Sequence, residues 1–207
     1  MSVNNDEMLH KILDHISGMG YIKPEDIPNI NLYMDQVTTF MEEHLAYSKR
    51  YKDDKILTKT MINNYAKNNL LPSPEKKRYT REHMLMLIFI YYFKNILSIN
   101  DIQSLLGPLT DRYFRSENDM NLTDIYNEVF SMEKGELDAL KKELIERYDI
   151  AQGTFENAPK EDQDFLKLFS FICLLSFDVY IKKMLIEKMI DELRSDSSAD
   201  PKSKHTK

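Results

Sequence analysis

The chain has 207 residues, of which 42% are apolar and 30% are charged, enough apolar material for one large or two small cores. The single cysteine, Cys173, excludes a disulfide framework and a thiolate metal cluster, and five glycines leave little material for phosphate-binding loops. A net charge of −6 argues against a protein that coats nucleic acid without sequence preference, but it is compatible with a local basic face.

The beginning of the chain is polar and acidic, without the basic flank and apolar run of a secretory signal. The longest uncharged stretches, 84–93 and 168–177, have ten residues each, whereas a membrane span needs about 20. We therefore expect a cytoplasmic protein that has no membrane partner.

Helical spacing of apolar residues dominates the chain. Helices are predicted over 6–17, 33–46, 58–69, 80–95, 98–106, 123–132, 134–148 and 161–194. Gly18 and Gly20 end the first helix, and a charged loop follows the second. The sequence therefore predicts an all-α protein.

The third predicted helix has the strongest local signals. Thr58 is placed to cap its N-terminus. Its inward-facing side chains are predicted to be Met61, Ile62, Tyr65 and Leu70. Two prolines in the segment 71–74 end the helix, and residues 75–79 are predicted to form an exposed basic hairpin or loop.

The next two predicted helices differ in character. The ten apolar residues 84–93 are compatible with a buried strand, but their unbranched side chains favour a helix that is covered on most sides. Ser98 and Asp101 have capping-box spacing and open a short helix. Gly107 and Pro108 are predicted to end it, and 107–120 is predicted to be irregular.

The last predicted helix has two candidate uses. Its front half is apolar on all sides, which favours the centre of a helical bundle. Its rear half carries a narrower stripe of Val179, Ile186, Met189 and Leu193, which favours pairing with a second copy of the chain. A pocket for a small-molecule effector is a weaker third hypothesis, because no polar residues converge there. The segment 195–207 is predicted to be disordered.

Charge is strongly segregated along the chain. Residues 44–83 contain ten Lys and Arg but only four Asp and Glu, a local charge of +6, so the remainder carries −12. These bases lie before, on and after the third predicted helix. That distribution suits a helix in a major groove with flanking loops on phosphates, although a solvated surface is the alternative.

We find no pattern typical of catalysis or of a cofactor. Glu7 and His10 have the spacing of a di-metal ligand pair, but no second copy exists, so a surface pair is the better interpretation. The glycines around residue 19 lack the third glycine and the preceding strand of a dinucleotide site. Cys173 lies in an apolar stretch, where we expect a cysteine to act as a small hydrophobic side chain and not as a nucleophile. We therefore expect no enzyme, no metal and no cofactor.

Residues 58–106 resemble the DNA-binding half of the MerR family of bacterial regulators, which has a helix-turn-helix, a basic wing and two further helices. The resemblance is carried by Thr58, Ile62, Tyr65, the exit 70–72, the wing end 77–80, the core residues Leu87, Phe89 and Ile90, and the capped segment 97–106. It implies a winged helix-turn-helix, binding to double-stranded DNA and a homodimer formed through the C-terminal helix. Most of the chain also resembles a bacterial family of unknown function, DUF1836, which implies a bacterial origin and no activity.

The resulting expectation is a MerR-like winged helix-turn-helix followed by a helical C-terminal bundle. The predicted segments are an N-terminal helix and connector at 1–29, the helix-turn-helix at 30–107, the helical domain at 108–194 and the tail at 195–207. The predicted DNA-binding residues are Thr58, Lys59, Asn63, Asn64, Lys67, Lys76, Lys77 and Arg78. Asn63 and Asn64 would face bases, and the five Lys and Arg residues would hold phosphates.

Two functional hypotheses follow. The first is a dimeric, sequence-specific transcriptional regulator. The second is a helical protein-interaction module that has lost DNA binding. It is favoured by the acidic net charge, by the long loop before residue 58, and by Asn63 and Asn64 in place of the Arg and Tyr of the family's recognition helix.

Overall fold

A computed structural model describes residues 4–18, 20–116 and 120–199. The helices are α1 (Asn5–Ser17), α2 (Met34–Leu45), α3 (Lys59–Lys67), α4 (Arg81–Phe93), α5 (Ile99–Tyr113), α6 (Leu122–Ser131), α7 (Glu133–Gln152) and α8 (Lys160–Ala199). The strands β1 (Leu32–Tyr33) and β2 (Arg78–Tyr79) pair antiparallel, and single 3-10 turns lie at Pro24–Asp26 and Ala46–Ser48. The predicted all-α class is confirmed.

The chain divides into two compact units, which do not follow the order of the sequence. The first unit combines residues 1–21 with 129–184, and the second combines 22–128 with 185–207. The predicted segments 1–29 and 108–194 are therefore each divided between the two units. The first of these divisions arises because α1 contacts α7, which lies more than 100 residues later in the chain.

Helix α4 is the most deeply buried element of the second unit. All nine residues from His83 to Tyr91 are buried, which confirms the prediction of a helix covered on most sides. Buried apolar residues of the other helices in this unit are Val37, Phe40, Met41, Leu45, Ile62, Tyr65, Ile102, Leu106, Leu122, Tyr126 and Ile190. Tyr126 Oη donates to the backbone oxygen of Ile22 at 2.6 Å, so its polar end is satisfied inside the core.

Helix α3 begins and ends as its local sequence requires. Thr58 Oγ1 accepts a hydrogen bond from the Met61 N–H at 3.2 Å, as predicted. At the other end Asn69 adopts φ 54°, and the Leu70 N–H donates to the Tyr65 carbonyl at 2.9 Å, a Schellman ending. The prediction that Met61 faces inward is wrong: its side chain is exposed, because the inward face is taken by Ile62 and Tyr65.

Helix α5 opens with the predicted capping box. The Asp101 N–H donates to Ser98 Oγ at 3.2 Å and the Ser98 N–H donates to Asp101 Oδ2 at 3.1 Å. The Ser98 hydroxyl, together with the Arg194 guanidinium, lowers the pKa of Asp101.

The prediction that Gly107 and Pro108 end this helix is wrong, as is the irregular structure predicted from 107 to 113. Pro108 lies on the exposed side, while Leu106 stays buried and the helical spacing of leucines continues to Leu109. The free energy gained by packing this apolar face therefore outweighs the cost of the backbone hydrogen bond that Pro108 cannot make. Residues 117–119 lie outside the described part of the chain.

The first unit is built on a small apolar cluster. Leu9 of α1, Leu144, Tyr148 and Ala151 of α7, and Phe171 of α8 form it. Tyr148 Oη donates to Asp6 Oδ1 at 2.6 Å, and burial, followed by this hydrogen bond, raises the pKa of Tyr148.

The prediction that the front half of the last helix is a bundle centre is wrong. In α8 the side chains of Phe165 and Phe177 are 67% and 66% exposed, and Ile172 is also exposed. The physical reason is that the cluster with α1 and α7 buries only the side of α8 that carries Phe171. Cys173 is exposed as well, so its apolar neighbours in the sequence do not enclose it.

The end of α8 also differs from the prediction of a disordered segment from 195 onward. The helix continues to Ala199, because no proline or glycine interrupts the backbone hydrogen bonds before that point. Residues 200–207 lie outside the described part of the chain. None of the described helices combines the length and the apolar composition that a membrane span requires.

Candidate functional site

Helix α3 presents a polar face beside a buried one. Ile62 and Tyr65 anchor the helix in the second unit, whereas Asn63, Asn64 and Lys67 are exposed. Two side-chain amides and one ammonium therefore face solvent from a single helix. Amide groups of this kind are able to pair with the edge of adenine, and an ammonium is able to pair with a phosphate.

Thr58 and Lys59 are placed less simply. The Thr58 hydroxyl is occupied by the cap of α3, so its role is to begin the helix. Lys59 is exposed but forms an ion pair with Asp35 of α2. A carboxylate next to this ammonium offsets part of the charge that would attract a phosphate, so Lys59 is the weakest of the predicted phosphate ligands.

The segment 75–78 forms the predicted basic hairpin. The Arg78 N–H donates to the Glu75 carbonyl at 2.8 Å, which closes a two-residue turn. Its central residues, Lys76 and Lys77, have φ values of 49° and 63°. Two left-handed residues in succession define a type I′ turn, which normally takes Asn and Gly. Each lysine costs roughly 1–2 kcal/mol in this backbone conformation, and both side chains are exposed.

Strand pairing connects the hairpin to α2. Leu32 lies opposite Tyr79 and Tyr33 lies opposite Arg78, and α2 begins at the next residue, Met34. Helix α2 also contacts α3 and β2. The exposed face of α3 and the basic turn are thus held on one scaffold, the helix α2. This groups the predicted site residues into two sets, one on α3 and one at the turn.

The loop between α2 and α3 is long but packed. Glu42 of α2 forms an ion pair with Lys49 and accepts a hydrogen bond from the Ile56 N–H at 3.3 Å. The contact with Lys49, and then that with Ile56, lower the pKa of Glu42 although partial burial acts against them. Lys94 Nζ donates to the Ile56 carbonyl at 2.8 Å, so the end of the loop is bound from two sides.

Three residues near the turn were not predicted from the sequence as part of a site: Tyr33, Glu75 and Arg115. Tyr33 contacts Arg78, which was predicted. Arg115 forms an ion pair with Glu75, the acidic residue that precedes the two lysines. Arg115 lies just beyond α5 and is 40 residues from its partner, so no local spacing could have indicated this contact. The only sequence signal for Tyr33 is its place at a helix N-cap, where Ser, Thr, Asp or Asn is usual.

His83 lies behind the hairpin and is fully buried. The Thr80 N–H donates to His83 Nδ1 at 3.0 Å, which completes the cap of α4. The ring makes edge contacts with Tyr79 and Phe114, at centroid distances of 5.5 Å and 4.9 Å. Burial, and then the nearby Arg115 guanidinium, lower the pKa of His83 to about 4. At neutral pH the ring is therefore uncharged and acts as a structural group.

The described residues define neither a metal site nor an effector site. Among the described residues, no group of three or more His, Cys, Asp or Glu side chains is arranged to hold a metal ion. A cleft of about 710 Å³ lies beside α5, lined by Leu105, Leu109, Leu193 and Arg194 among others. The Arg194 guanidinium already donates hydrogen bonds to Ser104 Oγ and Asp101 Oδ1, both at 2.8 Å. The cleft therefore does not define a ligand.

These features define an all-α protein in which helix α3 and a basic hairpin are both attached to helix α2. The family described as "Domain of unknown function (DUF1836)" matches residues 22–129, just over half of the chain. The chain belongs to this family, as the sequence resemblance predicted. The matched segment contains all eight predicted site residues. Comparison with curated proteins and with solved structures gave no match.

Proposed function

We propose that this protein is a cytoplasmic, sequence-specific DNA-binding transcriptional regulator of MerR-like type, which has no catalytic activity of its own. Helices α2 and α3 would be its helix-turn-helix, and the turn 75–78 would be its wing. The observation that carries the proposal is the attachment of both the exposed face of α3 and the basic turn to α2. A reading helix and a phosphate-binding turn need such a fixed relation to fit one groove and its flanking backbone.

The backbone of the turn supports the proposal. Lys76 and Lys77 occupy positions where Asn and Gly would be less strained. Strain of this kind is concentrated at functional sites. Two exposed ammonium groups at the tip of a hairpin are suited to phosphate oxygens, and Arg115 neutralises the adjacent carboxylate of Glu75.

The proposed DNA-binding form is a homodimer that pairs through α8. Phe165, Ile172 and Val179 are spaced seven residues apart on α8, and each is more than half exposed. An exposed apolar seam with this spacing is typical of a helix that packs against another helix. A second copy is the favoured partner, because a dimer also provides two reading helices for an inverted repeat.

A protein-interaction module that does not bind DNA is the second candidate. The observations that favour it are the ion pair between Lys59 and Asp35 and the long exposed apolar surface of α8. In this case α8 would contact a different protein, and changes at α3 and the turn would leave the function intact.

The first experiment is selection of bound sequences from a random duplex library at about 50 and 200 mM salt. We expect enrichment of an inverted repeat, whose spacing gives the separation of the two reading helices. Substitution of Asn63 or Asn64 by Ala should then relax the preference at one base position by about 1–3 kcal/mol. Weak binding without an enriched sequence would contradict the proposed function and favour the interaction module.

The turn allows a test that separates DNA binding from folding. The double variant Lys76→Asn, Lys77→Gly matches a type I′ turn and removes two charges. We expect it to raise the free energy of unfolding by about 1–2 kcal/mol, less than the summed strain of two lysines, because asparagine keeps a Cβ and glycine adds conformational freedom to the unfolded chain. It should also lower the slope of log affinity against log salt concentration by about 2.

The matched control removes two exposed lysines that lie outside α3, the turn and α8, Lys11→Gln with Lys142→Gln. It should leave the salt slope unchanged. Equal salt slopes for the wild type and the turn variant would refute the wing assignment. An equal reduction of the salt slope in the turn variant and in the control variant would indicate a non-specific charge effect.

A further inference from the structure

Tyr33 and Arg78 form a paired contact at the base of the basic turn. They lie opposite each other in the two-residue ladder between β1 and β2. Arg78 Nη2 donates to Tyr33 Oη at 3.1 Å, and the guanidinium carbon lies 5.3 Å from the centre of the Tyr33 ring. The guanidinium is therefore bound both at one of its edges and over an aromatic face.

The presence of a tyrosine at position 33 is not explained by its place at the N-terminus of α2. Residues that cap a helix through the side chain are Ser, Thr, Asp and Asn, and here the Tyr33 N–H is satisfied by Gln36 Oε1 at 2.8 Å. Packing does not explain it either, because 51% of the Tyr33 side chain is exposed. The contact with Arg78 is what remains to account for this side chain.

An exposed arginine samples many rotamers, and ordering it on a ligand costs entropy. A guanidinium has five N–H donors in a planar fork, which matches two phosphate oxygens at once. The bond to Tyr33 uses one of these donors and holds the plane in place, so the opposite edge of the fork can be presented already oriented. Arg78 is adjacent to Lys76 and Lys77, the other phosphate ligands assigned to the turn.

We propose that Tyr33 is a positioning residue that pre-orients Arg78 for a phosphate of the DNA backbone. This inference rests on the DNA-binding function proposed above and adds to it a residue outside the turn. Tyr33 acts through Arg78, so its contribution exists only while the guanidinium is present. The two side chains together form one phosphate contact rather than two.

The test is a double-mutant cycle measured by fluorescence anisotropy on the duplex enriched by the wild-type protein. The variants are Tyr33→Ala, Tyr33→Phe, Arg78→Gln and the double variant Tyr33→Ala with Arg78→Gln. We expect Arg78→Gln to lower affinity about tenfold and to lower the salt slope by about 1. Tyr33→Ala should show a smaller loss of affinity, and Tyr33→Phe, which retains the ring, a loss smaller still. The double variant should bind no more weakly than Arg78→Gln alone.

Tyr51 offers a matched control, because it is also an exposed tyrosine with an arginine guanidinium 5.3 Å from its ring centre. Tyr51→Ala should leave binding to the enriched duplex unchanged when the salt concentration is constant. Thermal unfolding of every variant identifies any loss of affinity that follows from loss of the fold. If Tyr33→Ala loses the fold, the affinity of Tyr33→Phe, which keeps the aromatic packing, is compared with that of the wild type instead.

Three results would overturn the inference. Wild-type affinity in folded Tyr33→Ala would show that Arg78 needs no positioning, and additive losses in the double variant would show two independent contacts. An equal loss in Tyr51→Ala would show a general effect of removing an exposed tyrosine. In each of these cases the wild type still binds its enriched duplex, so the proposed function stands. If the wild type enriches no duplex, the proposed function and this inference fail together.

Discussion

Replacing His83 with glutamine should remove much of the acid sensitivity of the fold. His83 is fully buried, and its Nδ1 accepts the Thr80 N–H at the start of α4. Glutamine is a normal partner in a capping box, because its side-chain oxygen can accept the same N–H. The chain already uses this arrangement in α2, where Gln36 Oε1 accepts the Tyr33 N–H at 2.8 Å. The variant His83→Gln should therefore keep the cap and lose only the titrating ring.

The magnitude follows from the lowered pKa of His83. Burial first, and then the positive charge of Arg115, lower this pKa from 6.5 to about 4, although the neighbouring Glu82 acts in the opposite direction. Between these two pH values the unfolded chain binds a proton that the folded chain excludes. The free energy of unfolding is therefore at its full value above pH 6.5 and falls as the pH is lowered towards 4. At about 1.4 kcal/mol per pH unit, the loss is about 3 kcal/mol.

Urea unfolding at intervals between pH 7 and pH 4 measures this loss directly. We expect the free energy of unfolding of the wild type to decline across the interval and that of His83→Gln to decline much less. Carboxylates with a lowered pKa, such as Asp101 and Glu42, are present in both proteins and lose their contribution at lower pH. Parallel pH profiles for the two proteins would refute the assignment of the acid sensitivity to His83.

The remaining predictions concern α5 and α8. Pro108→Ala should raise the free energy of unfolding by about 1–3 kcal/mol, because it restores a backbone N–H on the exposed side of a helix. Urea unfolding measures this change, and a free energy of unfolding below that of the wild type would mean that the proline shapes α5. Ile172→Glu should shift the protein from dimer to monomer in analytical ultracentrifugation, because it places a charge in the exposed seam of α8. Sedimentation of the wild type as a monomer at micromolar concentration would contradict the proposed dimer.

Local signals were sufficient for most helices. The apolar segment 84–93 was assigned to a helix because of its unbranched residues, and α4 confirms this. Ser98 with Asp101, and Thr58, were assigned as caps from their spacing alone, and both make the expected hydrogen bonds. These predictions succeed because a cap involves groups within three residues of one another, so the physical interaction is visible in the sequence.

The errors arise where a local signal competes with packing. Gly107 and Pro108 are strong helix breakers, yet α5 continues through them because the spacing of its leucines keeps an apolar face in register. The front half of α8 is apolar on all sides, which in a single chain favours burial, but α1 and α7 cover only the side that carries Phe171. Composition shows that a helix is apolar and does not show how many neighbours are present to cover it.

The sequence by itself determined the helical class, the caps of α3 and α5, the location of the basic segment and the membership in a family. Each of these depends on residues close together in the chain or on composition. Only the tertiary structure decided that Lys76 and Lys77 adopt left-handed backbone conformations, that Tyr33 lies opposite Arg78, and that the two compact units interleave along the chain. The pairing of Tyr33 with Arg78 and the interleaving of the two units depend on contacts between residues 45 to more than 100 positions apart, which are selected by the packing of the whole core rather than by a local pattern. The left-handed turn is local, but two lysines carry none of the Asn-Gly signal from which such a turn is predicted.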